Sequence, residues 1–216
     1  MESHEPGLSG RRAQARRNDP RIRQAAREVF TADPDAPMSA VAARAGVGIS
    51  ALYRRYESKE DLLRQVARDG LARYLEEAEG AVADDGDAWD MFSAFMGRLL
   101  DAQTVAITMS LAGTFAPNEE LFDMAERAAV LNARIVDRAK ASGGLRSDIV
   151  VDDLSLILEQ ISSIRLGDDA RTRELRQRYL ALFLEGLRST ADPPLPGPPP
   201  MPEELASRWS PRARND

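Results

Sequence analysis

Between Ile22 and Leu187 apolar residues recur at helical spacing in one segment after another, while the period-two alternation of a half-buried strand is nearly absent. An all-α fold is expected. Ile22, Ala25, Ala26, Val29 and Phe30 form one stripe of a helix that starts near Asp19-Pro20 and is stopped by Asp33-Pro34-Asp35-Ala36-Pro37. Val41, Ala42 and Ala45 mark a short second helix, broken by Gly46-Val47-Gly48. Ile49, Leu52, Tyr53 and Tyr56 belong to a third. Ser58-Lys59-Glu60-Asp61 carries the capping signature of a long fourth helix, whose period runs from Leu62 to about Val82.

Asp84-Asp85-Gly86-Asp87 reads as a linker or turn. Beyond it, Trp89, Phe92, Phe95, Met96, Leu99 and Leu100 share one helix, and a segment from Thr104 to Phe115 follows. Asn118 caps a further helix, which Ser142-Gly143-Gly144 ends. The last two helices are apolar on more than one side: Leu154, Leu156, Ile157, Leu158, Ile161 and Ile164 on one, Leu175, Tyr179, Leu182, Phe183 and Gly186 on the other. Such a surplus argues for a second partner, plausibly another copy of the chain, and places Leu154, Leu158, Ile161, Tyr179, Leu182, Phe183 and Gly186 in a dimer interface. The segment from Asp192 onward holds 8 of the 13 prolines and is expected to be disordered.

Charge divides the 216 residues. Residues 1–64 hold 12 Lys+Arg against 9 Asp+Glu, and the remainder holds 17 against 26, within a net charge of -6. A basic end on an acidic body suits a polyanion-binding module attached to something else, or is an ordinary solvated charge run. There is no cysteine, and the one histidine, His4, lies in a polar start, which removes thiolate metal sites and most histidine catalysis. No G-x-G-x-x-G, P-loop, H-E-x-x-H or G-x-S-x-G occurs. Neither an enzyme nor a cofactor is expected. Without an apolar run of about 20 residues or a signal-type segment, the chain is expected in the cytoplasm and not in a membrane.

Residues 37–56 have the form helix, glycine turn, helix. That arrangement places a recognition helix in the major groove of DNA. Ala42, Ala45 and Gly46 allow close approach of the two helices, and Val47 and Leu52 fill the space between them. Gly48, Ile49, Ser50, Ala51, Tyr53, Arg54 and Arg55 are left to face outward, with guanidinium, phenol and hydroxyl groups suited to phosphates and base edges.

Ala42-Ala43-Arg44-Ala45-Gly46-Val47-Gly48, Leu52-Tyr53-Arg54-Arg55-Tyr56 and Ser58-Lys59-Glu60-Asp61-Leu62-Leu63 resemble, in order and spacing, the DNA-binding domain of the TetR family of bacterial transcriptional regulators. The resemblance covers roughly Asp19 to Ala67. It implies an N-terminal three-helix helix-turn-helix domain joined by a long helix to a larger helical ligand-binding and dimerisation domain. The divisions would be a basic flexible arm over 1–18, the DNA-binding domain over 19–67, the effector and dimerisation domain over 68–190, and the proline-rich tail over 191–216. Tyr53 and Lys59 stand where the family contacts backbone phosphate. Gly48 stands where many members carry serine or threonine. Arg44, Gly48, Ile49, Ser50, Ala51, Tyr53, Arg54, Arg55 and Lys59 are thus the DNA-contact candidates, with Arg54 for direct readout.

By the same resemblance the body binds a small-molecule effector, with Trp89, Phe92, Met96, Met109 and Phe115 as apolar walls and Gln103, Asn132 and Gln160 as polar contacts. Each also reads as plain core. Arg165 is expected to pair with Asp168 or Asp169. The implied function is a dimeric repressor released from a palindromic operator by its ligand, through a conformational change carried by the fourth helix. The alternative is an all-helical protein-interaction module with a vestigial DNA-binding domain, using its proline-rich tail for partners.

Overall fold

A computed structural model describes residues 7–102, 111, 113–188 and 193–207, with the side chains of residues 7–18 and of residue 206 outside the description. Among the described residues it is all helix apart from one isolated bridge. The chain divides into two compact units, Met1–Val66 and Ala67–Asp216, here the head and the body.

The head contains α1 (Gly7–Ala32), α2 (Met38–Ala45), α3 (Ile49–Tyr53) and the start of α4 (Lys59–Ala83). Its core is the expected stripe, Ile22, Ala25, Ala26 and Phe30, packed with Val41, Leu52, Leu62, Leu63 and Val66. The helix does not start at Pro20. It begins at Gly7 and carries Pro20 inside it, so residues 7–18 form helix where a flexible arm was expected. The helix-forming run Ala13-Gln14-Ala15-Arg16-Arg17 favours that extension, against the lost main-chain hydrogen bond and the ring crowding that Pro20 brings.

Gly46 ends α2 in the left-handed region, φ +67°. A side chain at this residue would be strained, and the turn lets the N–H of Val47 reach the carbonyl of Ala42 at 3.0 Å. At the next helix start, Ser58 Oγ accepts from the N–H of Asp61 at 3.0 Å, and the Asp61 carboxylate accepts from the N–H of Glu57. The Ser58 half is the cap expected from the sequence, while Asp61 reaches one residue beyond the N-cap, to Glu57.

The body contains the rest of α4, α5 (Ala88–Asp101), α6 (Glu119–Ala141), α7 (Val151–Ser163), α8 (Asp169–Leu187) and a short α9 (Pro202–Ala206). The segment expected from Thr104 to Phe115 lies mostly outside the described residues. Asp87, Asn118 and Asp168 cap the starts of α5, α6 and α8 with side-chain oxygens. Phe92, Phe95, Met96 and Leu99 of α5 meet Leu131 and Ile135 of α6, Leu154, Leu158 and Ile161 of α7 and Leu180 and Leu187 of α8 in one core.

Leu154, Leu158 and Ile161 therefore face the subunit's own core, not a partner. A helix apolar on two sides still turns its tightest stripe inward, and these three residues occupy that stripe. Arg165 also departs from expectation. It donates to the carbonyls of Ser162 and Ile164 rather than to Asp168 or Asp169. Buried Arg176 donates to the same two carbonyls, at 2.8 and 3.0 Å from Nη2. Two guanidiniums thus satisfy the C-terminal end of α7, where orphan carbonyls and the helix dipole favour positive charge. Burial and the adjacent Arg165 push the Arg176 pKa below its ordinary value.

The start of the proline-rich segment is tied down where disorder was expected. Arg146 grips Asp148 through two hydrogen bonds of 2.9 and 2.8 Å and also donates to the carbonyl of Pro193. Asp148 in turn accepts from the N–H of Leu195 at 3.0 Å. Proline-rich chain has few donors of its own, so it is held by charged groups of the body.

Candidate nucleic-acid interface

Leu52 is the buried anchor of α3, and the rest of the helix is turned outward by it. Gly48, Ile49 and Ser50 are exposed at the start, Ala51 is half-buried, and Tyr53, Arg54 and Arg55 are exposed at the end. Tyr53 keeps 52% of its surface, too much for a packing residue of a small domain. Tyr56 is buried instead, and its hydroxyl lies within hydrogen-bonding reach of Arg23. Burial first, and the Asp19 carboxylate second, push the Tyr56 pKa up.

The four candidate cations are held differently. Arg44 pairs with Glu28 of α1. Arg55 forms a fork with Asp19, Nε to Oδ1 at 3.0 Å and Nη2 to Oδ2 at 2.7 Å. Lys59, at the first position of α4, places its ammonium 5.4 Å from the centre of the Phe30 ring, beside the positive end of the helix dipole. The Arg54 side chain has no ion pair or hydrogen bond among the described residues, and it is exposed. The nine DNA-contact candidates thus lie on α2, the glycine turn, α3, the turn that follows α3 and the start of α4. What sequence reasoning missed is the pair of carboxylates, Asp19 and Glu28. They lie 36 and 16 residues from their partners, and no local periodicity marks them.

The effector candidates do not share one setting. Phe92 and Met96 are fully buried in the body core, and Phe115 is buried. Trp89 lies 5.7 Å from Phe92 ring to ring, and its other neighbours are the Arg188 guanidinium and Gly144, where a Cβ would come within 3.1 Å of it. Asn132 accepts from the hydroxyl of Tyr74 at 2.6 Å; burial raises the Tyr74 pKa to about 12. Gln160 is exposed, and Gln103 and Met109 lie outside the described residues. Sequence reasoning also missed Ser93, whose hydroxyl is buried beside Phe92 in the chain without a hydrogen-bond partner among the described residues. An open cleft of about 370 Å³ lies elsewhere on the body, lined by Val82, Met91, Arg134, Ile135, Asp137 and Arg138.

On α8 the outward stripe is uncovered. Tyr179, Leu182 and Phe183 expose 43%, 59% and 40% of their surfaces, and a Cβ at Gly186 would meet open space. Among the described residues no group of acidic or histidine side chains is placed to hold a metal ion, and no helix is long and apolar enough to cross a membrane.

A short, outward helix held on a glycine turn and followed directly by two exposed guanidiniums defines a helix-turn-helix DNA-binding protein. Residues 22–66 match the family described as bacterial regulatory proteins, tetR family, and residues 86–189 match the C-terminal domain of SbtR-like transcriptional regulators. The chain belongs to the TetR family and is a DNA-binding transcriptional regulator. It is similar to a TetR regulator from Streptomyces coelicolor at 27% identity, covering 81% of this chain and 99% of that one, TM-score 0.52. It is also similar to a regulator from Mycobacterium vanbaalenii at 26% identity, covering 82% and 98%, TM-score 0.51. LfrR from Mycobacterium smegmatis, solved with proflavine, shares the fold at 20% identity, covering 83% and 99%, TM-score 0.60. No curated protein matches the sequence.

Proposed function

We propose that this regulator is a homodimeric repressor that binds a palindromic operator through α2 and α3 and leaves it when a small-molecule effector occupies the body. The observation that carries the reading is the uncovered apolar stripe on α8. One α3 of five residues reads only a few base pairs, too few for useful discrimination in a genome, and a two-fold copy doubles the site. Tyr179, Leu182 and Phe183 provide the large side chains of such an interface, and Gly186 lets a partner helix approach closely.

In this reading Tyr53 and Lys59 take phosphates and Arg54 takes a base edge. Gly48, Ile49, Ser50 and Ala51 allow α3 to sit close to the groove floor. The effector is small and largely apolar, held among Trp89, Phe92, Met96 and Phe115, with the Ser93 hydroxyl and Asn132 as polar anchors. Phe92 and Met96 are closed into the core, so a ligand that reaches them selects a different arrangement of the body. Such differential affinity is what release from DNA requires. Bacterial soluble regulation of this kind fits a cytoplasmic location.

Light scattering tests the dimer. The full-length chain is expected at twice the chain mass. Leu182→Glu, at an exposed position, is expected to return it to one chain mass and to abolish operator binding while leaving helicity unchanged. A Leu182→Glu chain that keeps both dimer mass and operator affinity contradicts the reading.

A further inference from the structure

The geometry points to Asp19 as a positioning residue for DNA binding: its carboxylate holds the Arg55 guanidinium in a fixed plane and presents that group's free edge to a phosphate. The inference rests on the assignment of α3 to DNA and goes beyond it, because Asp19 lies on α1, outside the helix-turn-helix, and carries the charge that DNA repels.

A guanidinium is planar and offers its donors along separate edges. Asp19 takes the Nε/Nη2 edge with both oxygens, at 3.0 and 2.7 Å. Nη1 makes no hydrogen bond among the described residues, and the Arg55 side chain remains 57% exposed while that of Asp19 is only 17% exposed. The carboxylate is therefore the buried member of the pair, and the guanidinium stays open to solvent. A carboxylate acting as a decoy for DNA would have the reverse exposure. Glu28 and Arg44 lack this one-sidedness, with exposures of 37% and 62%. The Asp19 carboxylate also lies close enough to the buried Tyr56 hydroxyl to raise its pKa. A long side chain ordered before binding loses less rotamer freedom when it meets phosphate, so the pair improves affinity although it is electrically neutral.

The sign of one substitution decides the matter. Simple electrostatics makes Asp19→Asn bind DNA more tightly, since a negative charge is removed; positioning makes it bind more weakly. The probe is a duplex recovered from random DNA by the full-length wild-type chain, with helicity and thermal midpoint measured beside affinity. The expected results are a roughly fivefold loss for Asp19→Asn and a larger loss for Arg55→Ala, with the salt slope falling by about 0.9 for the lost phosphate. The double variant is expected to be no weaker than Arg55→Ala alone. Arg55→Lys, at an exposed site where folding is not at stake, is expected to lose affinity like Asp19→Asn, because an ammonium has no second edge to present. Wild-type or tighter binding by Asp19→Asn, additive losses in the double variant, or wild-type binding by Arg55→Lys would each overturn the proposal alone. A wild-type chain that retains no duplex would overturn the assignment of α3 to DNA together with it.

Discussion

The arginines around α3 and those at the end of α7 are used for opposite purposes, although the body also carries surface arginine–carboxylate pairs such as Arg98–Glu77 and Arg127–Glu79. Around α3, Arg44 and Arg55 face carboxylates at the surface, and the Arg54 side chain has no partner among the described residues. In the body, Arg165 and Arg176 close the end of α7, Arg138 donates to the carbonyls of Asp84 and Gly86, and Arg146 donates to that of Pro193. A guanidinium on a carboxylate at the surface contributes little to stability and keeps further donors for phosphate. The Arg176 guanidinium, on the buried carbonyl of Ser162, cannot be withdrawn without a cost in stability. The same residue type therefore serves recognition around α3 and folding at the end of α7.

Substitutions that separate the two uses sharpen or break this contrast. Arg176→Met is expected to have the largest effect, a loss of roughly 3 kcal/mol as the carbonyls of Ser162 and Ile164 lose the Arg176 hydrogen bonds and keep only those of Arg165. Urea unfolding followed by circular dichroism reads it, and DNA affinity at low urea is expected to stay within about twofold. Arg54→Ala is expected to do the reverse. It should cost about 1–3 kcal/mol of operator affinity and relax sequence preference, with stability changed by under about 0.5 kcal/mol.

Tyr53→Phe removes one hydroxyl donor and is expected to weaken operator binding about fivefold, near the 1 kcal/mol of a single hydrogen bond. In a titration of labelled operator the loss should be similar for specific and random duplexes, since a phosphate contact carries no sequence information.

The smallest effect is confined to acid. Hydrogen bonds from Arg146, and then from the N–H of Leu195, hold the Asp148 carboxyl well below the usual carboxylate range. A lowered folded-state pKa gives stability that is fully present above the ordinary value of 3.8 and is lost as pH falls below it. Asp148→Asn is therefore expected to be less stable than wild type at neutral pH, with the difference narrowing below about pH 4. A gap that stays constant down to pH 2.5 would remove Asp148 from the acid response.

The head was legible because its determinants are local. Gly46, Ser58 and Asp61 act within a few residues of themselves, and Leu52 alone decides which way α3 faces. The Asp19 and Glu28 contacts were not legible, since two residues on α1 meet α2 and the end of α3 only after the head has packed. In the body the cap at Asn118 was read from the sequence, but Asp87 was read as part of a turn and Asp168 as an ion-pair partner, and the inward stripe of α7 was not legible. Leu154, Leu158 and Ile161 differ from Ile157 and Ile164 only in what they pack against. The helix before Pro20 and the clip at Pro193–Leu195 were hidden for a related reason. Proline predicts where a main-chain donor is missing, and it is silent about charged groups that arrive from elsewhere in the chain.

Selection of duplex DNA from a random pool by the full-length chain tests the central claim most directly. The account predicts an enriched inverted repeat whose half-site centres lie one helical turn, about 10 base pairs, or a multiple of it apart, and Arg54→Ala should blur the same position in both halves. Recovery of unrelated sequences, or of a single half-site with no symmetry, would contradict a dimer that reads DNA through the paired α3 helices.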